Sequence, residues 1–557
     1  MTTKQPATDP AAKSMDDIMA LCKRRGFIYP ASEIYGGING FWDFGPLGAQ
    51  MKKNLADAWW QDTILSPPPG PDGEPVRILP LDSSLIQNPK VWEASGHLAG
   101  FADPMRKCSK CGHFVRADHL WDLLADNSEW FDSVLQEFTP HTGDIDASRL
   151  IKWARTKGKK LAPNLALVRN PEVVLSFLST RVNGQPEAPP DLKEITRYLA
   201  TEQLHATGLQ EPCPRCGGEL GEPAQFKLMF QSWAGLTQSD ENVVYLRPET
   251  AQGIFINFKN VLDTMRVEPP FGVANIGKAF RNEVTPRNFI YRSREFEQME
   301  LEFFCAPEDA AKWYAYWRDT RLAWWQSIGL AGENLQMREH ESDELAHYAR
   351  QGAGTADIEY RFPFTAPGFG ELEGIADRST YDLTQHEEHS GAKMKYLDRT
   401  KGEIAKNGQP KGEWVTPNVI EPAAGLTRGV LALLCEAYTP DPDRASGVVL
   451  KLHPRIAPIK AAVFSLVKKD GMPEKAMELY HALAKRFARY GFIDYDEKQS
   501  IGKRYARMDE AGCPYCFTID GQTMEDDTVT LRDRDTAEQT RMPITDVPNF
   551  LAEKLGV

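Results

Sequence analysis

The chain has 557 residues, 41% hydrophobic and 26% charged, the balance of a soluble globular protein with room for roughly three to four domains. A formal net charge of −13 excludes a protein that coats nucleic acid indiscriminately, while leaving room for a local basic surface. No run approaches the ~18 apolar residues of a membrane helix, and the opening MTTKQPATDPAAKS lacks the apolar stretch of a signal peptide, so a cytoplasmic location is expected.

Residues 1–14 are small, polar and proline-bearing, the composition of a disordered terminus. Helical spacing follows over Met15–Arg25. The glycines of EIYGGINGFWDFGPLG lack the Lys-Ser/Thr of a phosphate loop and are not read as one. Beyond VWEASGHLAGFADPM stand Cys108-x-x-Cys111 and, far downstream, Cys213-x-x-Cys216, each followed by glycine. Two such knuckles satisfy one tetrahedral Zn²⁺, and a site filled by four thiolates has no open position for catalysis. The stretch between them, helical in pattern over 120–210, is then an insertion within 104–222 that the metal closes at its base. Cys513-x-x-Cys516 has no partner pair and is read as core. His386-Glu-Glu-His389 lacks the spacing that puts two imidazoles on one helix face, so it is not read as a metalloprotease site.

The most informative stretch is FGVANIGKAFRNEVTPRNFIYRSREFEQMELEFFC at Phe271–Cys305. It reads as two strands, Val273–Glu283 and Ser293–Phe304, joined by a polar loop with Pro286. Strand alternation puts Arg281 and Glu283 on one face of the first, and Arg292, Arg294, Phe296, Gln298 and Glu300 on one face of the second. Met299, Leu301 and Phe303 point the other way. After Thr439–Gly447 and HPRIAP the pattern changes to alternating strands and helices, which predicts a small α/β domain over 456–557.

FRNE followed by a loop and REFEQME resembles motif 2 of the class II aminoacyl-tRNA synthetases, and the glycyl-tRNA synthetases most closely. YLRPETAQGIFINF, GELEGIADRSTYDL, VIEPAAGLTRGVLALL and SIGKRYARMDE fit the same family in the same order. The resemblance implies an α+β fold. A class II antiparallel sheet flanked by helices would occupy 15–455, interrupted by the cysteine-knuckle insertion, and an anticodon-binding domain would follow at 456–557. It also implies a motif 1 strand near Val76–Ser83, a homodimer formed through that region, and ATP-dependent joining of glycine to tRNA(Gly).

The chemistry is in-line attack by an ionised carboxylate on the α-phosphate of ATP, which needs positioned charge and no general base. By resemblance, Arg281, Arg428 and Glu300 are the catalytic set. ATP would meet Arg281, Asn282, Glu283, Tyr291, Arg292, Phe296, Glu371, Leu372, Gly425 and Arg428, with Phe296 and Arg428 on the two faces of adenine. Glu371 and Glu421 would neighbour its Mg²⁺ or ribose. Glycine would meet Arg116, Glu249, Phe296, Gln298, Glu300, Glu421 and Ala423, with Glu249, Glu300 and Glu421 around its ammonium. The family reads E-P-S where this chain has Glu421-Pro422-Ala423, which removes a hydroxyl beside the α-carbon. In the last domain, Lys498, Lys503, Arg504 and Arg507 are candidates for phosphate contacts. A threonyl-type relative would need an open zinc site in the core, whose ligands are not found. A non-catalytic binding module would have no need of Arg281 and Arg428.

Overall fold

The computed structural model describes residues 13–116, 213, 220–341, 345–346, 348–349, 352–365, 368–404 and 410–557. The helical reading of 120–210 and Cys216 therefore lie outside the described residues. So does most of the expected disordered tail, but Lys13 and Ser14 are ordered. Lys13 is buried and its Nζ donates to the Cys435 and Glu436 carbonyls at 2.7 and 2.9 Å, and Ser14 caps the helix that follows.

That helix, α1 (Met15–Arg25), runs from the Ser14 cap to Gly26, whose φ of 76° ends it in the left-handed conformation glycine accepts without strain. Helix α2 (Pro46–Trp59) starts with proline in its first turn and buries Met51, Leu55 and Trp59. Strand β1 (Ile78–Pro80) is shorter than the motif 1 strand expected at Val76–Ser83.

The central sheet continues with β2 (Phe271–Phe280), β3 (Glu295–Cys305), β4 (Leu335–Glu339), β5 (Thr355–Tyr360), β6 (Gly370–Ser379) and β7 (Asn418–Gly425). Among the described residues these form seven strands in the order β4-β5-β6-β7-β3-β2-β1. Every pairing is antiparallel except β1 with β2. Helices α3 (Ala310–Ser327), α4 (Tyr381–Ser390) and α5 (Leu426–Ala437) accompany the sheet. The α5 helix packs closely enough that a Cβ on Gly429 would stand 2.7 Å from Trp325 and 3.1 Å from Leu55, so only glycine allows this approach. The core joins Met299, Leu301 and Phe303 of β3 to Trp317 and Trp325 of α3 and Val430 and Leu434 of α5.

The strand ends differ from expectation. β2 stops at Phe280, because the Arg281 carbonyl accepts from the Glu283 amide and the Arg294 amide donates to Gly40 instead of returning to Arg281. Arg281 and Glu283 therefore project from a turn. Arg294 leaves the concave face altogether, donating to the Glu283 and Asn39 carbonyls at 3.0 and 2.8 Å. It ties the β2–β3 connection to the glycine-rich segment, whose Gly40 has no room for a Cβ against Pro286.

The C-terminal part is a second sheet of β8 (Ile459–Ser465), β9 (Phe492–Asp496), β10 (Tyr515–Ile519), β11 (Thr528–Asp533) and β12 (Gln539–Pro543), ordered β9-β8-β10-β11-β12. Helices α6 (Met472–Phe487), α7 (Ile501–Ala511) and α8 (Val547–Leu555) complete it, with Leu479, Leu483, Leu551 and Leu555 in its core. Cys513 and Cys516 are buried there. Arg504, a candidate phosphate contact, is only 3% exposed and donates to the Ser465 and Asp496 carbonyls, both at 2.8 Å. It fastens strand ends. Lys498 and Lys503 are exposed.

The chain divides into two compact units, Met1–Leu98 with Met229–Val557, and Ala99–Leu228. In the second, strand Ala102–Lys107 pairs with Phe114–Arg116 and with Ala224–Lys227.

Candidate active site

A cleft of about 400 Å³ opens on the charged face of β3, β6 and β7. Alternation along β3 produces it: Phe296, Gln298 and Glu300 face the cleft while Met299 and Leu301 enter the core. Glu249, Arg281, Glu283, Tyr291, Arg292, Glu371, Glu421, Ala423, Gly425 and Arg428 also line it. Three expected residues do not: Arg116, Leu372 and Asn282. Leu372 follows Glu371 on a strand, so its side chain takes the opposite face and is fully buried in the core. Asn282, in the turn after β2, is likewise absent from the lining.

The lining charges fall into two sets. In the cationic set, Arg428 lies one turn into α5 and pairs with the Glu371 carboxylate at 3.0 Å and its carbonyl at 3.0 Å, its guanidinium 4.4 Å from the centre of the Tyr291 ring. Arg281 donates to the Pro248 carbonyl at 3.1 Å and lies 5.4 Å from the centre of the Phe296 ring. Arg428 foremost, with Arg281 and Arg292, holds the Glu371 carboxyl below its ordinary value. These are planar cations already resting on aromatic plates.

The acidic set is buried. Glu300 is 2% exposed, accepts a hydrogen bond from the Thr250 hydroxyl and stands across the β3–β7 pairing from Ala423. Burial, with Glu421 and Glu249 close by, pushes its carboxyl up to about 8. Ala423 is opposite Gly374 on β6, so the floor here carries nothing larger than a methyl. Glu421 is also raised by burial, against the pull of Arg378. Glu302, two residues beyond Glu300 on β3, is fully buried with neither oxygen hydrogen-bonded, and burial raises it well above the ordinary range. Its neighbour Glu421 is an acceptor for the proton this implies.

Residues 233–438 match the family described as "tRNA synthetase class II core domain (G, H, P, S and T)", and residues 460–554 match "Anticodon binding domain". The chain is 44% identical to "Glycine--tRNA ligase" of Rhodopirellula baltica, over 97% of this chain and 99% of that protein. It is 42% identical to the protein of the same name from Geobacillus thermodenitrificans and 41% identical to that from Alkaliphilus oremlandii, in each case over 98% of this chain and 99% of the relative. The chain belongs to the glycine–tRNA ligase family. It has the class II synthetase core and the anticodon-binding domain that the resemblance implied.

In this glycine–tRNA ligase fold, the cation that organises the acidic set is one that sequence reasoning passed over. Arg378, at the end of β6, is 4% exposed. It donates to both oxygens of Asp382 at 2.8 Å and to Glu421 at 2.9 Å, and its guanidinium stacks 4.0 Å from the centre of the Tyr348 ring. The signal available was an arginine between two aspartates in GIADRSTYDL, but its partner Glu421 is on another strand. Glu421 is thereby tied to Arg378 inside the acidic set.

The second unit holds the remaining expected residues. Arg116 pairs with Asp103 there at 3.0 Å. The Cys108, Cys111 and Cys213 sulfurs lie within 4.8 Å of one another, with Cys111 and Cys213 3.8 Å apart. That is the edge of a tetrahedron with bonds of about 2.3 Å, the Zn–S length. Backbone amides of Lys110 and Cys111 point at the Cys108 sulfur, at 3.4 and 3.5 Å, as a thiolate turn requires. His386, from the histidine pair read as non-metal, is buried against Gln252, and His389 is exposed.

Proposed function

We infer that this chain activates glycine as its adenylate with ATP and transfers it to the 3′ end of tRNA(Gly). One observation carries the reading: a single cleft joins exchangeable arginines on aromatic plates to a buried nest of glutamates floored by Ala423 and Gly374. ATP occupies the cationic set. Arg281 meets the α-phosphate and Arg292 the outer phosphates, while Phe296 and Arg428 take the adenine faces. Tyr291, Glu283 and Gly425 are supporting neighbours. Glu371 is the carboxylate that would hold the Mg²⁺ accompanying ATP once Arg428 turns to the nucleotide, and the ion would supply charge neutralisation of the outer phosphates.

Glycine directs its ammonium to Glu249, Glu300 and Glu421, and its ionised carboxylate toward the α-phosphate. Positioning and charge stabilisation carry the rate, so the absence of a histidine base from this scheme is chemically consistent. A substrate side chain would meet the acidic nest over Ala423 and Gly374, whereas a purely hydrophobic pocket discriminates one methylene by only about 10–200-fold. With Ala423 in place of the family's serine, that burden falls on Glu300 and Glu421.

The same reading includes a structural Zn²⁺ on Cys108, Cys111, Cys213 and Cys216, the three described sulfurs supporting it by their spacing. It also includes a cytoplasmic homodimer formed through the region of α2 and β1, with tRNA(Gly) engaged by a domain over 456–557. Leu65, Leu85 and Ile86 of that region expose their side chains, which supports a partner there. Among the described residues no helix is long and apolar enough to cross a membrane. Amino-acid-dependent ATP–pyrophosphate exchange with each of the twenty amino acids tests the activity. Glycine alone is expected to support rapid exchange; exchange with threonine or proline, or with none, would overturn the reading.

A further inference from the structure

Glu249 is held at both oxygens by groups that the reaction scheme leaves unused. Its Oε1 accepts from the Gln252 amide at 3.0 Å, and its Oε2 is 3.4 Å from Nε2 of His97. His97 belongs to VWEASGHLAGF, a segment without a role so far. Its other ring nitrogen, Nδ1, is 2.8 Å from the buried Ser95 hydroxyl, and Trp92 meets the ring edge-on at 5.6 Å. With the hydroxyl donating to Nδ1, a neutral imidazole carries its proton on Nε2, the nitrogen facing Glu249.

The other side is fixed by the same reasoning. The Gln252 NH₂ faces two carboxylates, Glu249 and Asp382, each at 3.0 Å, so its carbonyl turns to His386 Nε2 at 2.9 Å. A carbonyl only accepts, so His386 carries its proton on Nε2. Burial lowers the His386 pKa, in keeping with a neutral ring. On the open side stand the cation Arg378 and the carboxyls of Glu300 and Glu421, which burial pushes toward the neutral form. Although burial opposes it, the His97 contacts, Arg378 and Gln252 together hold Glu249 in its ionised form.

We propose that His97 is a positioning residue, one jaw of a clamp whose other jaw is Gln252 locked by His386, and that the clamp fixes the rotation of Glu249 so that its remaining lone pairs face the substrate ammonium. The inference rests on the reading of Glu249 given above. A carboxylate gripped at one oxygen can still turn about its terminal bond; gripped at both, from different segments of the chain, it cannot. Such supporting contacts are what hold a binding group in productive geometry.

The test compares His97→Asn with His97→Gln in ATP–pyrophosphate exchange. Glutamine reaches where Nε2 reaches and donates from there; asparagine, shorter by one methylene, keeps a polar group near Ser95 and ends short of Glu249. His97→Asn should raise the glycine KM about five- to tenfold with kcat and the ATP KM nearly unchanged, the scale of one ordinary hydrogen bond, and His97→Gln should return it to within about twofold. A glycine KM unmoved in His97→Asn, or raised equally in both variants, would overturn the clamp. Glu249→Gln, measured alongside, separates the two levels: a raised glycine KM upholds the reading of Glu249 whatever His97 does, and an unchanged one removes that reading and the clamp with it.

Discussion

The two halves of the cleft carry opposite charge and opposite construction. Arg281 and Arg428 are partly accessible, each resting on an aromatic ring and on partners a nucleotide can replace. Glu300, Glu302 and Glu421 are buried, and the arginine among them, Arg378, has its contacts committed to Asp382 and Glu421. A large anionic ligand can displace exposed ion pairs at little cost, since such pairs contribute about 0–1 kcal/mol. A small cation offers too little contact to reorganise its site, so its site is built in advance and its cost is borne by the fold.

If that contrast is right, the largest effect on the fold comes from Arg378→Met. It strands Asp382 and Glu421 as buried carboxyls without their cation, and breaking a buried pair from one side costs about 3–5 kcal/mol. Denaturant unfolding should register that loss, whereas Arg428→Ala should shift stability by less than about 1 kcal/mol. Equal losses in the two variants would erase the distinction between the halves.

Next in size is the catalytic loss on the cationic side. Arg281→Ala and Arg428→Ala should each lower ATP–pyrophosphate exchange at least about a hundredfold, the scale of one missing transition-state donor. Activity within about threefold of the parent would remove the assignment.

A smaller effect, graded with pH, belongs to the acidic half. The free carboxyl of Glu300 titrates near 8, and an ammonium beside it favours the ionised form, so binding glycine releases a proton below that pH. The glycine KM should therefore rise as pH falls below about 8, by up to about tenfold per unit, and level off above it. The ATP KM should not follow, because Glu300 is placed against the glycine ammonium and not against the nucleotide in this reading. A glycine KM flat between pH 6.5 and 8.5 in parallel with the ATP KM would sharpen the comparison against this account, the range being set by the Glu300 value of about 8.

Part of each half was legible in the sequence because it falls within one stretch of chain. Arg281, Phe296 and Glu300 fall within one hairpin, and alternation along β3 sorts Phe296, Gln298 and Glu300 from Met299 and Leu301. What escaped was set by contacts between distant segments. The end of β2 at Phe280 depends on the turn at Arg281, Arg294 is drawn aside by Asn39, and Leu372 follows from the register of β6. Arg378 and His97 carry no period of their own. Their meaning lies in Glu421 and Glu249, which the topology brings to them from far along the chain. Arg504 shows the converse: a basic residue on a helix, read as a candidate phosphate contact, is turned inward to carbonyls at two strand ends.

The most direct test of the central claim, that the acidic half receives the glycine ammonium and the cationic half the nucleotide, is the pair of KM values for glycine and ATP in Glu300→Gln. Glutamine keeps the shape and the contact with Thr250 but removes the charge. The account predicts a glycine KM raised at least about tenfold with the ATP KM within about twofold of the parent, the signature of lost ground-state binding to one substrate only. An ATP KM that rises in step, or a glycine KM that does not move, would contradict it.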